Sequence, residues 1–177
     1  HSGAFASMAT FSFNGNKVIT TGGGGMIITD DSELAKRAKY ITTTAKVPHP
    51  YEFVHDEIGY NYRMPNLNAA LGCAQMERLN EILAIKTKLA DQWGVFFDQN
   101  DVRFVRAIDE NKANHWLNTL VLDSREERDN FLKFTNDNGV MTRPIWTLMS
   151  KLPMFKECQT DGFENLPKLN PEGNLVF

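Results

Sequence analysis

Cysteine is scarce: Cys73 and Cys158 are the only two in 177 residues. They are far apart and form neither a C-x-x-C pair nor a metal-spacing cluster, which excludes a disulfide scaffold and makes reduced thiols in a cytoplasmic protein the expectation. Histidine is scarce too, and His49, His55 and His115 do not stand at ligand spacing, so no metal site is expected. No apolar run approaches the ~20 residues that cross a bilayer, and no positively charged start precedes a hydrophobic signal core. An excess of one charge is also lacking, since 19 basic against 22 acidic side chains leave a net charge of -3. Such a balance gives no field to recruit nucleic acid or an anionic membrane. Internal repeats and low-complexity tracts are absent. What remains is a chain with 42% apolar residues, enough for a real core in one domain or in parts of two.

Lys17 is the most informative residue. It follows Phe11-Ser12-Phe13-Asn14-Gly15-Asn16 and precedes Val18-Ile19-Thr20-Thr21 and four glycines, Gly22 to Gly25. Ala9, Phe11 and Phe13 alternate with Thr10 and Ser12, which predicts a short strand with Lys17 at its end. Burial disfavours an ammonium and frees a neutral amine to attack a carbonyl, so a lysine there is a candidate covalent anchor. A solvated loop lysine is the plain alternative. The glycines permit backbone angles that other residues resist and let the main chain approach a ligand closely. They follow the lysine rather than precede it, so the order is wrong for a nucleotide P-loop.

The remaining pattern is α/β. Met26 to Thr29 reads as a buried strand, and Asp30 or Asp31 caps a helix bearing Leu34, Ala35, Ala38 and Ile41 on one face. Residues 42–58 have no period and read as a long loop. From Asn66 one long connecting helix is expected, with Leu67, Ala70, Leu71, Ala74, Leu79, Ile82 and Leu83 inward and Ile85, Leu89 and Trp93 continuing the stripe. Cys73 on that helix reads as core, as do Trp93, Trp116 and Trp146. Strands are expected near Val102 to Val105, at Trp116 to Leu122 and at Gly139 to Ile145. A helix should follow Ser124, which forms a capping box with Glu127. The domain boundary is placed near residue 85, giving 1–85 and 86–177.

The block from Ser12 through Lys17, Thr20-Thr21 and Gly22 to Gly25 to Asp30 resembles the lysine motif of the DegT/DnrJ/EryC1/StrS family, pyridoxal-phosphate-dependent sugar aminotransferases. A second block, Gly59-Tyr60-Asn61-Tyr62-Arg63-Met64 with Asn68-Ala69-Ala70-Leu71-Gly72 and Gln75, is similar to the family's next signature at the expected distance. The wording of both is closest to the branch that aminates nucleotide-linked 4-keto-6-deoxy sugars on the way to bacillosamine, legionaminic or related acids. The resemblance covers roughly residues 1 to 160 and is to the C-terminal half of the family chain.

It implies part of a type I, aspartate aminotransferase-like fold: the end of a large cofactor domain, 1–85, and a small α/β domain, 86–177. It implies that Lys17 holds pyridoxal 5'-phosphate and then moves the proton between the donor carbon and the cofactor. It implies that Ser12 donates to the cofactor phosphate, and that Asn61 reaches the phosphate of a neighbouring subunit in a homodimer with a shared site. Arg63, His55 and Arg143 are weaker candidates for contact with donor or sugar, and Tyr60 and Tyr62 are expected to pack. The implied reaction moves an amino group, with glutamate as donor, to a nucleotide sugar for polysaccharide or glycan synthesis. A sugar dehydratase of the same fold replaces the lysine with histidine, and a non-catalytic member would lack it. The start at His1, within what the motif places as an interior region, leads us to expect a truncated chain, inactive by itself. The segment 165–177 departs from the family pattern and is expected to have altered or missing terminal strands.

Overall fold

A computed structural model describes residues 5–107, 113–159 and 175–176. The chain divides into two compact units, His1–Ala84 and Ile85–Phe177. The division falls inside a helix.

The first unit opens with strand β1, Ala9–Ser12, antiparallel to β2, Gly25–Ile28, with Ala9 opposite Ile28 and Ser12 opposite Gly25. The alternation of Phe11 with its polar neighbours produces β1 as expected. β2 is not buried: Met26 and Ile27 are both exposed, and the ladder among the described residues has two strands. Helix α1, Ser32–Thr42, starts where the Asp31 carboxylate accepts the Glu33 and Leu34 N–H groups, so Asp31 is the cap.

The expected single long helix is two. α2 spans Asn66–Glu77 and α3 spans Leu79–Asp98, with Arg78 between them near φ -101° and ψ 4°. The Arg78 N–H turns back to the Gln75 and Met76 carbonyls, tightening the last turn of α2 and breaking the regular ladder. The inward stripe is corrected as well. α2 buries none of its residues and Leu67 is 87% exposed. Cys73 is an exposed free thiol rather than core, and Cys158 is another.

The second unit has a small core. Ala90 on α3, Phe104 and Leu120 are buried together, with Phe97, Val102 and Phe131 against them. Phe97 and Phe104 stack with centroids 6.2 Å apart and planes 9° from parallel. Burying one such ring contributes about 1.5–3 kcal/mol. The sheet runs β3 (Arg103–Phe104), β4 (Leu120–Val121), β5 (Leu175–Val176), all antiparallel. β3 and β4 lie within the expected spans but keep only two residues each. β5 lies in the segment expected to have altered or missing terminal strands; most of that segment, like residues 160–174 as a whole, lies outside the described residues. The strand expected at Gly139 to Ile145 shrinks to an isolated bridge between Pro144 and Val176. A proline has no N–H to extend the ladder. Trp93 and Trp146 are exposed rather than core. Trp146 instead stacks on Trp116 at 6.1 Å.

Helix α4, Arg125–Asp137, is capped by the Ser124 hydroxyl, which accepts the Glu127 N–H at 3.1 Å. The return bond of the box is displaced by one residue, since the Glu127 carboxylate accepts from the Asp123 N–H at 2.9 Å. No described helix is long and apolar enough to cross a membrane.

Candidate active site

Lys17 does not stand at a strand end. β1 stops at Ser12, and Lys17 lies in the loop that leads to β2. The cause is Asn14-Gly15-Asn16: the Lys17 N–H donates to the Asn14 carbonyl at 3.0 Å, closing a turn, and the Asn14 N–H donates to Ser12 Oγ at 3.4 Å. Ser12 and Lys17 thus flank one asparagine. The neck of the loop is tied at Phe13, whose carbonyl accepts the Thr21 N–H at 3.0 Å and the Thr20 hydroxyl at 3.1 Å. The Phe13 N–H donates to the Gly24 carbonyl at 3.0 Å. Gly22 and Gly24 take φ of 79° and 97°, the left-handed region that lets the chain reverse into β2. Lys17 is half-buried at the far side of this tied loop.

The second limb of the loop rests on α2. Asn68 Nδ2 donates to the Thr21 carbonyl at 2.6 Å, and Gln75 Oε1 accepts the Thr20 N–H at 3.3 Å. Between them, a Cβ placed on Gly72 would lie 3.0 Å from Thr21 Cγ2. Positions 68, 72 and 75 share one helix face. Thr21 is 3% exposed beneath them. The two sequence blocks are therefore joined by direct contact. Asn68 and Gln75 carry no role in the sequence reading; a polar–small–polar stripe at helical spacing is the signal that marks them.

Asn61 lies in a segment stitched to the end of α1. It bridges Thr43, while the Tyr60 and Tyr62 N–H groups donate to the Ile41 and Thr42 carbonyls at 2.7 and 2.9 Å. Thr44 and Ala45 take φ of 74° and 48°, strained for residues with a Cβ. Gly59 makes this possible, because a Cβ there would stand 2.5 Å from the Ala45 nitrogen. His55 Nδ1 lies 2.7 Å from the Thr44 carbonyl, so the ring donates from Nδ1. Tyr60 and Tyr62 stack on each other, with ring centroids 5.4 Å apart, and both remain exposed.

Charge pairing fixes the same segment. Arg37 forks onto Glu57, with Nη2 to Oε2 at 2.6 Å, and the Tyr40 hydroxyl donates to Asp56. The hydrogen bond from Arg37 holds the Glu57 carboxyl below its ordinary range, and the bond to Asp56 pushes the Tyr40 phenol up to about 12.

Arg63 lines a cleft of about 1010 Å³ together with Gly23, Met26, Lys39 and Asn68. Arg143 belongs to the second unit, where its guanidinium lies 3.5 Å from Met141 Sδ. The structure thus sets Ser12 and Lys17 around one turn and brings Asn61, His55 and Arg63 onto a separately braced segment of the first unit. Among the described residues no group of three or more His, Cys, Asp or Glu is placed to hold a metal.

The sequence pattern of the DegT/DnrJ/EryC1/StrS aminotransferase family matches residues 1–169. This chain belongs to that family. Among curated relatives, it is 35% identical over 158 residues to the GDP-perosamine synthase of Escherichia coli O157:H7, covering 88% of this chain and 42% of the relative. The GDP-perosamine synthase of Vibrio cholerae is 31% identical over 87% of this chain and 42% of its own. A solved structure described as a sugar aminotransferase, Spr1654 from Streptococcus pneumoniae in its PLP form, superposes with a TM-score of 0.84 at 20% identity, over 99% of this chain and 47% of that one. The likeness establishes the fold, which is the α/β type I fold of pyridoxal-phosphate-dependent transferases. This DegT/DnrJ/EryC1/StrS chain spans less than half the length of the relatives it matches.

The donor set fits a phosphorylated aldehyde. Lys17 carries an amine, and Ser12, whose Oγ accepts the Asn14 N–H, has a hydroxyl proton that could be donated to a phosphate oxygen.

Proposed function

We propose that the protein uses pyridoxal phosphate, held by Lys17, to transfer an amino group from an amino acid, glutamate in our reading, to the ketone of a nucleotide-linked 4-keto-6-deoxy sugar. The observation that carries the reading is the tied loop itself: a lysine at its tip, a serine at its foot and a second motif block braced against its return limb. The relatives named as GDP-perosamine synthases support a nucleotide sugar as acceptor.

When bound, pyridoxal phosphate supplies an electron sink for a carbanion next to nitrogen. The chain supplies the hold and the proton. Lys17 Nζ would anchor the group covalently and, once released, would move the proton between the donor carbon and the cofactor, in one direction in the first half-reaction and in the other in the second. Ser12 Oγ donates to the phosphate. In this reading Asn61 from a second copy of the chain adds a donor to that phosphate, so the working unit is a homodimer. Arg63, with its cation at the large cleft, is suited to a carboxylate or phosphate, while His55 and Arg143 are secondary candidates. The exposed free thiols Cys73 and Cys158 accord with a cytoplasmic location. Lys17 disfavours a sugar dehydratase, in which histidine stands at this position.

Incubation with pyridoxal phosphate, borohydride reduction and peptide mass spectrometry should place the adduct on Lys17. Lys17→Ala should lose the adduct, and in the complete active enzyme transamination as well, while keeping its fold, because a half-buried loop lysine contributes little packing. An adduct on another lysine overturns the proposal.

A further inference from the structure

We infer that Asn68 and Gln75 are positioning residues for Lys17, acting through the backbone of Thr20 and Thr21. This rests on the reading of Lys17 as the cofactor anchor. Only Val18 and Ile19 separate Lys17 from that limb, so the limb's mobility is passed almost directly to the amine.

The bracing is chemically divided. Asn68 Nδ2 donates to the Thr21 carbonyl at 2.6 Å, and Gln75 Oε1 accepts the Thr20 N–H at 3.3 Å. One helix face thus takes a carbonyl and an amide of consecutive residues, just before β2 begins at Gly25. Gly72 lets the helix close onto Thr21, whose burial makes an unmet carbonyl costly. Ile19, Thr20 and Thr21 line a cavity of about 280 Å³ together with Ala69, Gly72 and Cys73. The helix gives the loop a rigid reference that the loop's own turn at Asn14 does not provide.

The donor and acceptor roles differ, and so do the variants that test them. Asn68→Asp keeps the shape but removes the donor and sets charge against the Thr21 carbonyl. Gln75→Met keeps the length but removes the acceptor, whereas Gln75→Glu retains it. Residue-resolved hydrogen exchange on the cofactor-free protein should show Thr20 and Thr21 amides opening up to about tenfold faster in N68D and Q75M, and near the wild-type rate in Q75E. With cofactor loaded, the pH midpoint of the absorption band of the Lys17-bound group should move in N68D and Q75M and be restored in Q75E. If N68D does not fold, the neutral Asn68→Ala carries the same expectation. Unchanged exchange overturns the inference, as does faster exchange with an unmoved pH midpoint. A wild-type protein that takes no cofactor on Lys17 instead overturns the proposed function, and the exchange result then decides whether the helix holds the loop.

Discussion

A single residue can be conspicuous in the sequence and still take its environment from tertiary contacts. Tyr40 shows this on the outer face of α1, where its hydroxyl donates to Asp56 beside the Arg37–Glu57 pair. The hydrogen bond to Asp56 raises its pKa from 10.0 to about 12. The folded state therefore favours the neutral phenol. Its contribution to stability is present below the unfolded value and is lost as pH rises through the window from about 10 to about 12. Asp56→Asn should bring the Tyr40 titration down toward the ordinary tyrosine range, read as tyrosinate absorbance against Tyr40→Phe. An unmoved midpoint would show that Asp56 is not the partner. Nothing in the residues around Tyr40 announces this pair, which joins two places separated by the whole 43–55 loop.

At the scale of elements, local chemistry was the reliable guide and packing the unreliable one. Asp31 and Ser124 mark the starts of α1 and α4 because a side-chain oxygen next to an unpaired N–H acts within one turn, whatever lies around it. Ser124→Ala should lower stability by about 1 kcal/mol, measured as a shift in urea midpoint with unchanged slope, and Ser124→Gly by only a few tenths. The displaced Glu127–Asp123 bond survives in both variants and sets a floor under the loss. Apolar period was less informative. It correctly placed helices over 66–98 but missed the break at Arg78, across which the apolar stripe steps five residues, from Ala74 to Leu79. It also counted Leu67 and Leu71 as inward although both are exposed. Periodicity identifies a face that can be buried; it does not supply the neighbour.

For the whole molecule, the question is how many chains make one site. Asn61 lies on a segment anchored to α1 through Tyr60 and Tyr62, whereas Lys17 lies on the loop anchored to α2. In the homodimer proposed above, Lys17→Ala and Asn61→Ala damage a site from opposite chains. Mixing the two inactive variants should restore about one quarter of wild-type activity, because half of the randomly assorted dimers carry one intact site of two. Activity that stays at background after unfolding and refolding the mixture would place both residues in one chain's site.

By itself the sequence determined the α/β class, the Ser124 cap, the narrowing of the first cap to Asp30 or Asp31 and the order of the two motif blocks. These depend on residue type and short spacing, which local sterics and hydrogen bonding read directly. Only the tertiary structure decided that Lys17 leaves the strand for a tied loop, that Ser12 and Lys17 share Asn14, and that Asn68, Gly72 and Gln75 meet Thr20 and Thr21. The physical reason is range: a turn is closed by neighbours a few residues apart, whereas the contacts on the loop's return limb at Thr20 and Thr21 come from a helix some fifty residues away, and no local propensity encodes which carbonyl an asparagine will meet.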